Sequence, residues 1–198
     1  MKLRRAQVAD AATLAQGHAD AGQVAYHGLS PESYLQTVTY QKREAAFTER
    51  LAGNVEETYL AEDEGRAVAF LTIGAGRDGD VDATRTGEIW GIYVAPDYWR
   101  RALGTRLVQE AERLLRSRGS EEVVLWVLGE NLAARHFYEA VGYRLDGAVK
   151  TLDRGRPLQV VRYRKRFPPE VNGGFEQHPP RAAGRCSPSP SPVSNHLG

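Results

Sequence analysis

Apolar residues change their period several times along this chain, and each change marks an element. Residues 2–6 read as a short strand, after which Asp10 caps a helix that turns Leu14 and Ala15 inward, weakened by Gly17 and Gly22. In "YHGLSPESYL", Ser30 before Pro31 starts a second helix. Its apolar stripe, Tyr34, Leu35, Val38, Ala45, Ala46 and Leu51, is broken and ends near Gly53. "ETYLAEDEGRAVAFLTIG" holds two apolar stretches around the turn signal "EDEG", the pattern of an antiparallel hairpin. The loop "AGRDGDVDATRTG" leads into "EIWGIYV", residues 88–94. Period-two geometry there puts Glu88, Trp90, Ile92 and Val94 on one face and Ile89, Gly91 and Tyr93 on the other, and Pro96 ends the strand.

From about Ala102 to Arg118 the apolar positions Leu103, Leu107, Ala111, Leu114 and Leu115 recur at helical spacing, with Gly119 as the stop. "EEVVLWVLG" is a strongly apolar strand. "NLAARHFYEAVGY" is a short helix with Asn131 as candidate N-cap, Ala133, Phe137 and Val141 inward, and Gly142 at its end. "YRLDGA" and "PLQVVRYRKRF" close the pattern as two strands, expected to pair antiparallel. The order is β-α-α-β-β-β-α-β-α-β-β, and strand, helix, strand around residues 88–128 requires a right-handed crossover and at least one parallel pair in a mixed α/β sheet.

Composition narrows the function classes. A chain of 198 residues that is 41% apolar and 26% charged suits one main soluble domain. A net charge of +1 gives no reason to expect nucleic acid or membrane as partner, so any anion site must be local. The only cysteine, Cys186, excludes an intrachain disulfide and a thiolate metal site, and the expectation is no metal and a reducing cytoplasm. The N-terminus has no apolar signal core, and no run approaches ~18 apolar residues, which argues against secretion or membrane insertion. Seven of the ten prolines lie between Pro168 and Pro192, so residues 168–198 read as a disordered tail beyond a domain of residues 2–167.

The stretch "YWRRALGTRL", residues 98–107, carries the first chemistry. A strand that delivers the chain into a small-residue turn and a helix N-terminus offers unpaired N–H groups to an anion. Arg100 and Arg101 add charge, and Gly104 and Ala102 keep the turn open. It is neither GxxxxGK[ST] nor GxGxxG, and a solvated basic turn that merely caps a helix is the alternative.

"IYVAPDYWRRALGTRLV" resembles the acyl-CoA-binding segment of the GNAT superfamily of N-acetyltransferases, whose pattern is a strand, a Val-x-Pro step and then [Q/R]-x-x-G-x-[G/A] opening a helix. "LWVLGENLAARHFYEAVGYR" is similar to the family's Asn-x-x-Ala-x-x-x-Tyr-x-x-x-Gly-[Phe/Tyr] segment, and residues 2–167 follow its element order. The departures are Trp99 at the Gln/Arg position and Ala102 at the first glycine. The resemblance implies a mostly antiparallel sheet with helices on both faces, acetyl-CoA as cosubstrate and a small-molecule amine as acceptor, and it leaves room for a homodimer. It implies that backbone groups of Ile92, Tyr93 and Val94 hold the pantetheine arm, that Trp99, Arg100, Arg101, Ala102, Leu103, Gly104 and Thr105 seat the pyrophosphate, and that Asn131 touches the cofactor. A gap between the strands at 88–94 and 123–128 would leave edge groups free for such a peptide-like ligand.

Acetyl transfer needs a neutral amine, although a free alkyl ammonium has a pKa near ~10, and it needs a proton for the departing thiolate. Glu88 is the first candidate base, with a solvated strand-end glutamate as the alternative. Trp126 stands where some family members carry the base and cannot serve, and Glu130 is more distant. Tyr138, at the family position, is the candidate acid. His136 reads as a surface histidine. With Cys186 in the tail, direct attack in a ternary complex is expected, and a noncatalytic acyl-CoA-binding module is the competing reading. Tyr26, His27, Tyr34 and Trp90 are candidates for lining the acceptor side.

Overall fold

The alternating stretches become the strands of one sheet, β1 (Lys2–Arg5), β2 (Glu57–Asp63), β3 (Arg66–Ala75), β4 (Thr86–Val94), β5 (Glu122–Leu128), β6 (Arg144–Asp153) and β7 (Pro157–Arg166). The helices are α1 (Ala11–Tyr26), α2 (Glu32–Thr37), α3 (Tyr40–Gly53), α4 (Leu103–Arg116) and α5 (Leu132–Ala140). The computed structural model describes residues 2–26, 31–37, 39–53 and 56–168. The expected tail from residue 169 onward, His27 and Val38 lie outside them, as does the side chain of Tyr26. The helix expected over residues 30–53 is realised as α2 and α3.

Spatial order in the sheet is β1-β2-β3-β4-β5-β7-β6. All neighbours are antiparallel except β4 and β5, the parallel pair that the α4 crossover demands. The "EDEG" hairpin closes with positive φ at both Glu64 (49°) and Gly65 (79°), the two-residue turn whose twist suits adjacent strands.

One face of the sheet packs on α4 and α5. Leu103, Leu107, Val108, Ala111 and Leu115 of α4 meet Leu71, Ile73, Ile89, Val123, Leu125 and Tyr163 there, and this is the main core. The opposite face of β2 and β3 buries Leu60 and Phe70 against Leu14 and Ala15 of α1 and Phe47 of α3. No described helix is long and apolar enough to cross a membrane.

The β3–β4 loop folds back over the face occupied by α1 and α3. Arg162 of β7, its side chain only 4% exposed, is the post to which it is tied. It donates to Asp78 at 3.0 Å, to Asp80 at 2.7 and 2.6 Å and to Asp146 at 2.7 Å. The Trp126 indole also donates to Asp78, at 2.9 Å. A guanidinium this buried persists because carboxylates surround it.

That arrangement makes a pH prediction. Hydrogen bonds from Arg162 push the Asp80 carboxyl down to about 2 from an ordinary 3.8. A depressed carboxylate stabilises the fold fully above its unfolded-state pKa and loses that contribution as the pH falls through the folded-state value. Thermal melts of wild type and Asp80→Asn should therefore differ most above about pH 5 and converge between about pH 4 and 2. A difference that stays constant over that range would contradict the tie.

Candidate active site

Where β4 ends, Pro96–Tyr98 make a single 3-10 turn, and the chain then adopts positive φ at Arg100 (58°) and at Ala102 (58°) before α4 begins. Ala102 occupies the N-cap without a side-chain oxygen to offer, so the N–H groups of the first helical turn keep their need for an acceptor. Arg100 and Arg101 are exposed beside them, and the Arg101 guanidinium lies 5.2 Å over the Tyr98 ring. Ala102, which stands where the family pattern has a glycine, thus adopts the left-handed conformation that a glycine favours. Gly104 has a packing task as well: a Cβ there would meet Cζ of Phe137 at 3.2 Å, so its missing side chain lets α5 close on α4. Trp99 is 43% exposed and its indole donates to the Val94 carbonyl at 2.8 Å.

The expected gap is present. β4 pairs with β5 only from Thr86↔Glu122 to Ile89↔Leu125, while β5 continues along β7 to Leu128↔Val160. The Ala95 N–H bonds to the Val68 carbonyl at 2.9 Å, and antiparallel alternation then turns the backbone groups of Gly91 and Tyr93 towards β3. Those of Ile92 and Val94 face the gap. Tyr93 therefore does not share their edge; its ring stacks on Phe70 at 4.6 Å in the second core.

The face assignment for β4 needs correction. Thr72 pairs with Gly91 but Ile73 pairs with Ile89, so Trp90 is an extra residue, a β-bulge. One inserted residue inverts the alternation on either side of it. Ile89, Ile92 and Val94 consequently all pack on the main core, and Glu88 lies on the opposite face from Ile92 and Val94. Glu88 is 1% exposed and tightly held: Arg77 donates to it through its backbone N–H at 3.1 Å and its guanidinium at 3.1 and 2.5 Å. Arg77 in turn stacks 4.0 Å over the Trp90 ring.

Beside the bulge opens a cavity of about 540 Å³, lined by His18, Phe47, Arg50, Glu56, Phe70, Thr72, Arg77, Trp90 and Tyr93 among others. Trp90 is one of its walls. Glu56, 5% exposed, was not foreseen. Burial pushes its carboxyl above the usual range, with Arg50 and Arg77 pulling the other way. Its Oε1 has no hydrogen-bond partner among the described residues, and Arg50 comes only to 4.0 Å. The period-two pattern held the clue: Glu56 is in line with Thr58 and Leu60, both buried on that face.

On the other face, Asn131 caps α5 as expected, its Oδ1 accepting from the Ala134 N–H at 3.1 Å. The inward line of α5 is Ala134, Phe137, Tyr138 and Val141, whereas Ala133 is exposed, so Tyr138 belongs to the packed side of the helix. Its ring meets those of Phe137 (5.1 Å), Tyr143 (5.9 Å) and Tyr163 (6.5 Å). Tyr34 does not line the cavity; α2 places it against the β6–β7 turn, where a Cβ on Gly155 would meet its Cβ at 2.8 Å. His136 is exposed, as expected.

The chain is similar to known proteins. Residues 25–143 match the model of the acetyltransferase (GNAT) family. An uncharacterised N-acetyltransferase of Methanocaldococcus jannaschii is 32% identical over 92 residues, 46% of this chain and 41% of that protein. YuaI of Bacillus subtilis, also an uncharacterised N-acetyltransferase, is 26% identical over 139 residues, 70% of this chain and 77% of the relative. Among solved structures, the PaiA N-acetyltransferase of Thermoplasma acidophilum in complex with coenzyme A superposes with a TM-score of 0.63 at 19% identity, over 84% of this chain and 98% of that one, a likeness of fold.

A left-handed alanine costs about 1–2 kcal/mol, part of which a glycine would give back through its floppier unfolded chain. Ala102→Gly should therefore raise the melting temperature by about 2–4 °C, the shift expected for about 1 kcal/mol in a domain of this size. A lower melting temperature would show that the turn is not strained.

Proposed function

The chain belongs to the GNAT acetyltransferase family, and we propose that it transfers an acetyl group from acetyl-CoA to the primary amine of a small molecule or a peptide N-terminus, by direct attack in a ternary complex. The observation that carries this reading is the unpaired stretch of β4 beyond Ile89, with the uncapped N-terminus of α4 beyond its far end and the aromatic cavity at its bulge.

The donor side suits acetyl-CoA, which supplies an acetyl group already activated as a thioester. Helix N–H groups at Leu103, Gly104 and Thr105, with Arg100 and Arg101, are suited to a pyrophosphate by hydrogen bonds and the helix dipole. The free edge of Ile92 and Val94 can take the amide-bearing arm as an added strand. For that the Trp99 indole has to leave the Val94 carbonyl or remain as a cap beside the arm. Oδ1 of Asn131 is committed to its helix, which leaves the amide nitrogen to donate. A backbone N–H on the β4 edge would steady the negative charge that develops on the acetyl oxygen. Tyr138, on the packed side of α5, is the proton donor to the leaving sulfur. Glu88 is not given the base role: Arg77 occupies its carboxylate, and the pair anchors the β3–β4 loop.

A panel of primary amines with acetyl-CoA, followed by thiol release, tests the reading. Turnover is expected, with Tyr138→Phe lowering kcat by about 10²-fold or more, the usual scale for a lost general acid. Stabilisation by acetyl-CoA without turnover of any amine would instead assign a binding module. An unchanged kcat in Tyr138→Phe would remove that residue from the chemistry.

A further inference from the structure

Two side chains that line the cavity beside the β4 bulge, Glu56 and His18, each carry a buried polar atom with no hydrogen-bond partner among the described residues, Oε1 and Nδ1 respectively. A carboxylate accepts hydrogen bonds through both oxygens, and Nδ1 of a histidine accepts or donates according to its tautomer. A buried carboxylate whose hydrogen-bonding capacity is unmatched is costly, so this wall of the cavity favours a ligand that brings donors. Much of the remaining wall is aromatic. Phe47, Phe70 and Tyr93 surround the His18 ring, with centroids 6.1, 6.4 and 4.4 Å away, and Trp90 completes the enclosure. Aromatic faces attract cations and pack against flat apolar groups.

We propose that Glu56 receives the ammonium group of the acceptor in this cavity and takes its proton, and that the acceptor is a singly charged primary amine on a flat apolar body. The proton transfer balances as ammonium plus carboxylate giving neutral amine plus carboxylic acid; the freed nitrogen lone pair is then the nucleophile, and Glu56 returns its proton to water. The proton-accepting half rests on the acetyl-transfer reading above, whereas the binding half rests on the cavity alone.

The charged groups around Glu56 favour this class of ligand. Arg50 of α3 stands 4.0 Å from Oε1 with about half of its side chain exposed. Arg77 of the β3–β4 loop is half exposed and also acts on Glu56, although its hydrogen bonds go to Glu88. Glu49, His18 and Tyr93 complete the titratable lining. A second or third ammonium, as in a polyamine, would meet the two guanidinium groups at the rim, whereas an uncharged tail would not. A volume of about 540 Å³ accommodates one aromatic ring and a short alkylamine chain.

The experiment uses the full chain, 2-phenylethylamine as probe and spermidine as comparator. Amine binding is measured by calorimetry at saturating CoA, and turnover by thiol release from acetyl-CoA. Wild type should bind phenylethylamine more tightly than spermidine. Glu56→Gln should weaken phenylethylamine binding about tenfold or more, as expected for a lost hydrogen bond to a charged group, and lower kcat/KM by about 10²-fold. Its stabilisation by acetyl-CoA should persist, and Glu56→Asp should recover part of both losses.

Because burial raises the Glu56 carboxyl, the wild-type kcat/KM should fall on the acid side at a pH above the usual carboxylate range. If Glu56→Gln also loses the acetyl-CoA effect, that acid limb decides: its presence supports the proposal and a flat profile overturns it. Equal binding and turnover in Glu56→Gln would overturn the assignment, and tighter spermidine binding would overturn the ligand class. Binding that depends on Glu56 without any turnover would sink the acetyl-transfer reading and leave the site standing. Turnover of other amines without phenylethylamine binding would do the reverse.

Discussion

Thr72 and Ile73 are neighbours on β3, yet their partners on β4, Gly91 and Ile89, are separated by Trp90. The open edge of β4 and the aromatic cavity both lie at that one inserted residue. Pairing with β5 stops at Ile89, so beyond the bulge the sheet carries backbone groups with no strand to receive them. The inversion of side-chain parity sends Ile92 and Val94 into the main core while Glu88 and Gly91 line the other face. The bulge has its own supports: Gly74 leaves room for the Trp90 ring, since a Cβ would meet it at 2.9 Å, and Arg77 stacks on that ring while gripping Glu88.

The two sides of the gap differ in kind. Towards α4 and α5 the chain offers donors, namely helix N–H groups and exposed arginines, and it tolerates a left-handed alanine to present them. Towards α1 and α3 it offers the buried carboxylate of Glu56 beside His18 in a partly aromatic enclosure. An anion on one side and a cation on the other are the natural complements, and the interrupted strand runs between them. The charge network of Arg162 with Asp78, Asp80 and Asp146 holds the β3–β4 loop in place, and thereby holds Arg77.

Much of the fold was legible because period and punctuation report local geometry faithfully. The strong α4 stripe, Gly119 as its stop, Asn131 as the cap of α5 and the "EDEG" hairpin all follow from rules that need no tertiary knowledge. What escaped was decided by long-range packing. Strict alternation through "EIWGIYV" put Glu88 beside Ile92, because nothing within the strand announces a bulge; Gly74, fourteen residues earlier, is where the space for it is made. Ala133 and Ala134 are interchangeable in a short helical stripe, and only the packed partner chose the second. Glu56 was overlooked because a glutamate at a strand start is ordinarily solvated, although Thr58 and Leu60 mark its face as buried.

The proposed acetyl transfer requires the β4–β5 gap and the α4 turn to form the coenzyme A seat. Backbone amide spectra recorded during a titration with CoA test this seat. The largest shifts are expected at residues 92–95 and 99–105 and around Asn131, along the open edge of β4 and the first turn of α4. Shifts concentrated instead around Arg85, Glu122 and Arg164, which line a second cavity of about 840 Å³ at the opposite end of β4 and β5, would contradict it.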